Sequence, residues 1–194
     1  MSALILTSDS LIGSPSSGNI EYSGQFYGTD TNNSRAQFER LVQGTAVAST
    51  SGTNITFTGI PSWAKRITMM LVGVSTSGSS QIQIQLGSGS ATTTGYSCSA
   101  SVIGAASVTS SSYTTGFATR LNSATNIISG NFVTTLVTGN TWSGNGAFAA
   151  PIIPETQFTT GSVALAGVLD RIILTTFNGT DTFDAGSVNI LYEG

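Results

Sequence analysis

The chain has 194 residues, with six Lys+Arg against nine Asp+Glu, one cysteine, no histidine and 23 glycines, and only 8% of it is charged. This composition excludes nucleic-acid binding by clustered positive charge, histidine-based catalytic triads and the commonest zinc ligands, and an intrachain disulfide. What is left is a polar but uncharged chain rich in Ser, Thr, Asn and Gly, long enough for one medium domain with an appendage.

Met1 to Gly18 reads as an extended, loosely held start. It lacks the basic region of a signal peptide, and no apolar run in the chain approaches the ~18 residues of a spanning helix, so no membrane insertion is expected. Asn19 to Tyr27 reads as a small hairpin, Ile20 and Tyr22 on one side of a Ser23-Gly24 turn and Phe26 on the other. A lone hairpin is marginal in water, so it must lean on the main domain, a neighbouring copy or another protein. Ser34 followed three residues later by Gln37 has the form of a capping box and predicts a short helix from Arg35 to Val42. Residues 1–45 are therefore read as an N-terminal attachment arm and 46–194 as a β domain.

Within that domain Ile55 and Phe57 alternate with Thr56 and Thr58, the pattern of a half-buried strand. Gly59 and Pro61 interrupt it and predict a corner over Ile60 to Ala64. Ile67 to Val74 follows, with Ile67, Met69 and Leu71 on one side and Met70, Val72 and Val74 on the other. A strand apolar on both faces needs cover on both, which predicts a second sheet on one face and a loop, helix or further subunit on the other.

Gln81 to Leu86 alternates Ile82, Ile84 and Leu86 against Gln81, Gln83 and Gln85; the glutamine row is read as solvent-exposed, with a ligand face or a wet subunit contact as alternatives. Tyr96 to Val102, Gly116 to Leu121, Asn131 to Val137 and Ser162 to Ala166 are further strands, and the lone Cys98 is read as a buried thiol. Val137 to Pro154, with Trp142 among glycines, reads as a long exposed loop. Leu169 to Phe177 and Ser187 to Tyr192 close the chain as a strand and its return strand. Short strands at this spacing, with no helical period after residue 45, predict an all-β antiparallel sandwich of jelly-roll type.

Without histidine an enzyme would depend on paired carboxylates. Glu21, Asp30, Glu39, Glu155, Asp170, Asp181, Asp184 and Glu193 are scattered, so no catalytic, cofactor-binding or metal residue is assigned. Asp170 beside Arg171 reads as a strand-end pair. Asp181 and Asp184 are read as turn formers, with calcium ligation through oxygen as the alternative. Trp63, Tyr113, Trp142 and Phe148 are read chiefly as core or subunit-contact residues; an exposed ring would stack on sugar C–H faces, and Trp142 is the candidate glycan contact.

Three segments carry a resemblance. They are Gly18 to Asp30 (Gly-Asn-Ile-Glu-Tyr-Ser-Gly-Gln-Phe-Tyr-Gly-Thr-Asp) with Ser34-Arg35-Ala36-Gln37; Gly59 to Thr68 (Gly-Ile-Pro-Ser-Trp-Ala-Lys-Arg-Ile-Thr); and Arg171 to Thr176 with Thr182 to Glu193. Together these resemble tailed-bacteriophage virion proteins of the tail fibre and tail protein type. The resemblance implies a non-enzymatic part of the particle, a homo-oligomer (a trimer) whose N-terminal segment holds other virion proteins while the β domain is displayed, with host-surface glycan as a further partner. It implies assembly in the host cytoplasm and residence in the virion. The short length departs from a full fibre and leaves a short fibre, a fibre tip and a head decoration or head fibre as alternatives, beside a carbohydrate-binding receptor module.

Overall fold

The computed structural model of the protein describes residues 10, 11, 13–23, 25–119 and 123–194. Most of the expected 1–18 start, Gly24 of the first turn, and the end of the Gly116 to Leu121 strand lie outside or partly outside them. The chain divides into two compact units, residues 1–40 and 41–194.

The smaller unit is a three-stranded antiparallel meander: β1 (Ile20–Tyr22), β2 (Phe26–Thr29) and β3 (Arg35–Gln37). The expected hairpin is its first half. The helix over Arg35 to Val42 is not formed. The Asp30 carboxylate accepts the backbone N–H groups of Asn32 and Ser34, each at 2.8 Å, while Asn33 adopts a φ of 59°. That side-chain-capped turn reverses the chain, so that a strand starting at Arg35, rather than a helix, follows Ser34. Arg35 then reaches across the sheet to Glu21 with a 2.8 Å ion pair.

Among the described residues the larger unit holds fourteen strands: β4 (Leu41–Gln43), β5 (Val47–Ala48), β6 (Asn54–Thr58), β7 (Arg66–Thr76), β8 (Ile82–Ser88), β9 (Ser90–Ala91), β10 (Ser97–Ile103), β11 (Val108–Tyr113), β12 (Phe117–Thr119), β13 (Ile128–Thr138), β14 (Thr141–Ala150), β15 (Glu155–Ala164), β16 (Arg171–Thr176) and β17 (Phe183–Glu193). They form two antiparallel sheets. One runs β11-β10-β15-β14-β13-β7-β17-β4, with β5 also on β17; the other runs β12-β8-β16-β6, with β9 on β8. Their inner faces share one core, in which Ile67, Met69, Phe132 and Phe148 of the first sheet meet Ile84, Phe117, Ile172 and Leu174 of the second. The protein is thus all-β, an antiparallel sandwich, and no helix among the described residues is long and apolar enough to cross a membrane.

The predicted corner is where the chain changes sheets, from β6 in the smaller sheet to β7 in the larger. It is pinned by Ala64 N–H to Pro61 O, Lys65 N–H to Glu193 O, and the Trp63 ring on Tyr192 at 5.6 Å. The closing pair is corrected in the same way. β16 and β17 lie in different sheets, so Asn178 to Thr182 is a crossing and not a hairpin turn.

Three other expectations change with the structure. Val74 turns inward beside Leu71, because Gly73 (φ 61°) and Gly186 (φ 95°) form a bulge that resets the alternation. Gln83 and Gln85 are buried: Gln85 Nε2 donates to Thr115 O at 2.8 Å, and Thr115 Oγ1 donates to Gln83 Oε1 at 3.0 Å. The segment after β11 covers the row that period-two reasoning assigned to solvent. Finally, Val137 to Pro154 is no long loop but the turn and second strand of the β13–β14 hairpin, with Trp142, Gly144, Gly146, Phe148 and Ala150 facing in.

Candidate functional site

The residue-by-residue register of the larger sheet fixes what its outer face carries. One row runs Gln43, Leu191, Thr68, Val133, Asn145, Thr160, Ser99, Ser112 across eight strands. The next runs Asn189, Met70, Asn131, Ala147, Phe158, Ser101, Ser110. Beyond it lie Ser187 and Val72, then, past the bulge, Ala149, Thr156, Ile103 and Val108. On the opposite side a row begins Leu41, Glu193, Arg66 and continues through Thr135, Ser143, Ser162 and Ser97. In these four rows the charged side chains are Arg66 and Glu193, and they neutralise each other at 3.1 Å.

In these rows the face is therefore largely hydroxylic and neutral, with exposed apolar side chains concentrated along two adjacent rows. Val72 is 64% exposed, Phe158 45%, Ile103 46% and Val108 71%, with Met70 half-buried between them. The second face of β7, expected to need cover, is the start of this band, and no other strand of the larger unit covers it among the described residues.

A second feature lies where the inner face of β10, β11 and β15 meets the β12 edge of the smaller sheet. A cavity of about 270 Å³ is lined by Gln81, Val102, Ser111, Tyr113, Thr119 and Gln157, among others, and none of the described lining residues is charged. Its amides are already engaged. Gln81 Nε2 donates to the Tyr113 hydroxyl at 2.9 Å, Thr119 Oγ1 donates to Gln157 Oε1, and Gln157 Nε2 donates to Glu155 Oε2 at 3.3 Å. Sequence reading found the β7 part of the face but missed the rest of it and the cavity, since β15 alternates Gln157, Thr159 and Gly161 against Phe158, Thr160 and Ser162 with little apolar contrast to reveal its faces.

Trp142 is not on an exposed loop. It is 3% exposed in the core, and its indole borders a cavity of about 70 Å³, far below the roughly 300 Å³ at which ligand pockets begin. Its ring therefore offers no stacking face at the surface. Phe148 is buried as well, and Trp63 and Tyr113 are partly buried against the core.

The carboxylates hold the fold together. Asp170 pairs with Arg171 at 2.8 Å and also accepts from Gly89 N–H, and the Arg171 contact first of all holds its carboxyl below the usual aspartate range. Asp181 accepts Asn178 Nδ2 at 2.6 Å and Ser80 N–H at 2.9 Å; these bonds, the Asn178 one foremost, lower its pKa from 3.8. Both of its oxygens are thus occupied by protein donors, and no cluster of three or more His, Cys, Asp or Glu able to hold a metal occurs among the described residues. Comparison with protein-family models and with curated protein sequences finds no match.

Proposed function

We propose that this chain is a structural component of a tailed-phage virion, a short fibre or fibre-like protein that forms symmetric homo-oligomers, trimers in the leading form, and is displayed on the particle. The observation that carries the reading is the outer face of the larger sheet: eight strands of mostly short, uncharged side chains with an apolar band and a single cancelled ion pair in its four rows, in a chain whose acids are mostly spent on structural contacts. Such side chains lose little entropy when they pack on a neighbour. The resemblance of residues 18–37, 59–68 and 171–193 to tail fibre and tail proteins supports the same reading. In it the N-terminal meander attaches to other virion proteins and the sandwich, of jelly-roll type, is displayed. The test is to purify particles from the producing culture on a density gradient and probe them with antibody raised against the recombinant chain. Stoichiometric recovery with particles and gold labelling at one fixed place, tail, collar or head, is the expected result; absence from particles overturns it.

The β11–β15 cavity favours a second reading as a carbohydrate-binding module, because an uncharged lining rich in Ser and Thr hydroxyls beside the Tyr113 ring suits a neutral saccharide. A glycan array compares the parent chain with Tyr113→Ala. Binding lost in the variant supports this reading, and no glycan bound by either chain rejects it.

A further inference from the structure

We infer that the outer face of the larger sheet is a self-association surface, and that its occupant is the same face region of a second copy of this chain. The inference deepens the proposed function, on whose homo-oligomer it rests, by naming the surface and the partner.

Three observations lead there. The first is charge. The chain carries a formal net charge of −3, yet in these four rows the register places two charges, Arg66 and Glu193, which cancel, and Asp184 is exposed on β17 beyond them. A basic partner would find no acidic complement here, nor an acidic partner a basic one. A copy of the chain meets no like-charge repulsion in these rows, as each contact of a symmetric homo-oligomer requires.

The second is shape and size. Eight strands at about 4.8 Å spacing and four side-chain rows about 7 Å apart make a face of about 1,000 Å², comparable to the ~800 Å² that each partner contributes to a standard interface.

The third is the apolar band. Met70 and Val72 on β7 continue through Ala147 and Ala149 on β14 to Phe158 on β15, Ile103 on β10 and Val108 on β11. The band is carried by five strands rather than one, broken on β13 by Asn131, and the hydroxylic rows lie along one side of it. Exposed apolar side chains interleaved with and bordered by uncharged polar ones match the composition of an interface. The edge strand β11 ends the band and carries no charge and no proline, the devices that otherwise discourage pairing at a sheet edge.

The experiment is sedimentation velocity on the full chain at micromolar concentration, with Val72→Lys, Phe158→Lys and the pair of them, and with Val168→Lys as an exposed control off these rows. Because positions 72 and 158 point outward, circular dichroism and the cooperative melt should remain those of a folded β protein. The parent chain and Val168→Lys are expected to sediment as one multimer, the single lysine variants to weaken it at least tenfold, and the double variant to be a folded monomer. A monomeric parent chain overturns the inference, as does a multimer that persists in the double variant. Either outcome leaves the particle fractionation to decide the virion reading by itself. Conversely, a multimer lost only in the band variants upholds this face even if the chain is absent from particles.

Discussion

Gly144 shows how a single residue type misleads and then explains. In the sequence it belongs to a Gly/Asn-rich stretch that reads as loop, but on β14 it is an inward position where a Cβ would lie 2.5 Å from Phe132 Cζ and 3.0 Å from Phe117 Cζ. The missing side chain is the seat for those two rings, whose centroids are 4.8 Å apart. Gly144→Ala should therefore destabilise the fold by about 1–3 kcal/mol, the cost of overpacking a filled core; urea denaturation measures it, and an unchanged midpoint would refute the packing account. Tyr96 gives a second test at this scale. Its hydroxyl accepts the Leu86 N–H at 2.8 Å, and its ring meets Phe117 edge-on at 5.3 Å. Burial, the largest cause, raises its pKa from 10.0 to about 12, outweighing the lowering by the Leu86 bond. A raised folded-state pKa means a contribution fully present below pH 10 and lost as pH climbs through about 12. Spectroscopic titration should show one of the five tyrosines ionising with alkaline unfolding, a phase missing in Tyr96→Phe.

Among the elements, legibility followed contrast. β6, β8 and β17 were readable because Ile55 and Phe57, or Ile82, Ile84 and Leu86, or Val188 and Ile190, stand against polar neighbours. β14 and most of β15 were not, because Gly, Ser, Thr and Asn fill both faces and only tertiary packing separates Thr159 inside from Thr160 outside. The bulge at Gly73 and Gly186 was equally hidden, since a one-residue slip in alternation looks like a strand greasy on both sides. Of the candidate face, Met70 and Val72 were legible; Phe158, Ile103 and Val108 joined them only once the register was known. At this same scale lies the crossing between β16 and β17, where Asp181 ties its own loop to the β7–β8 loop through Ser80, and Thr182 N–H donates to Ser77 Oγ at 3.0 Å. The folded-state pKa of Asp181 is depressed, so its contribution is present above the unfolded value of about 3.8 and disappears as pH falls below it. Asp181→Asn should flatten the acid limb of a stability-versus-pH curve while leaving the neutral limb's shape unchanged, as read by thermal melts from pH 7 down to pH 3. An acid limb identical in both proteins would remove Asp181 from this role.

For the molecule as a whole the decisive property is that neutrality and apolarity coincide on one face. Association driven by such a surface depends on water exclusion and not on ion pairs, and the two respond to salt in opposite ways. Screening weakens contacts between charges as the Debye length shrinks from about 10 Å at 0.1 M salt to about 3 Å at 1 M. Excluded salts such as sulfate strengthen apolar burial. The multimer should therefore hold its dissociation constant within about threefold as sodium chloride rises from 0.1 to 1 M, and tighten when sulfate replaces chloride. Arg66 and Glu193 make a useful internal control, because their ion pair sits at the margin of the rows and is open to solvent. Exchanging them as Arg66→Glu with Glu193→Arg should leave association within the same range, since exposed pairs contribute little. Sedimentation across the salt series distinguishes the two mechanisms: a dissociation constant that loosens a hundredfold by 1 M chloride would assign the contact to charges elsewhere on the chain and take it off this sheet.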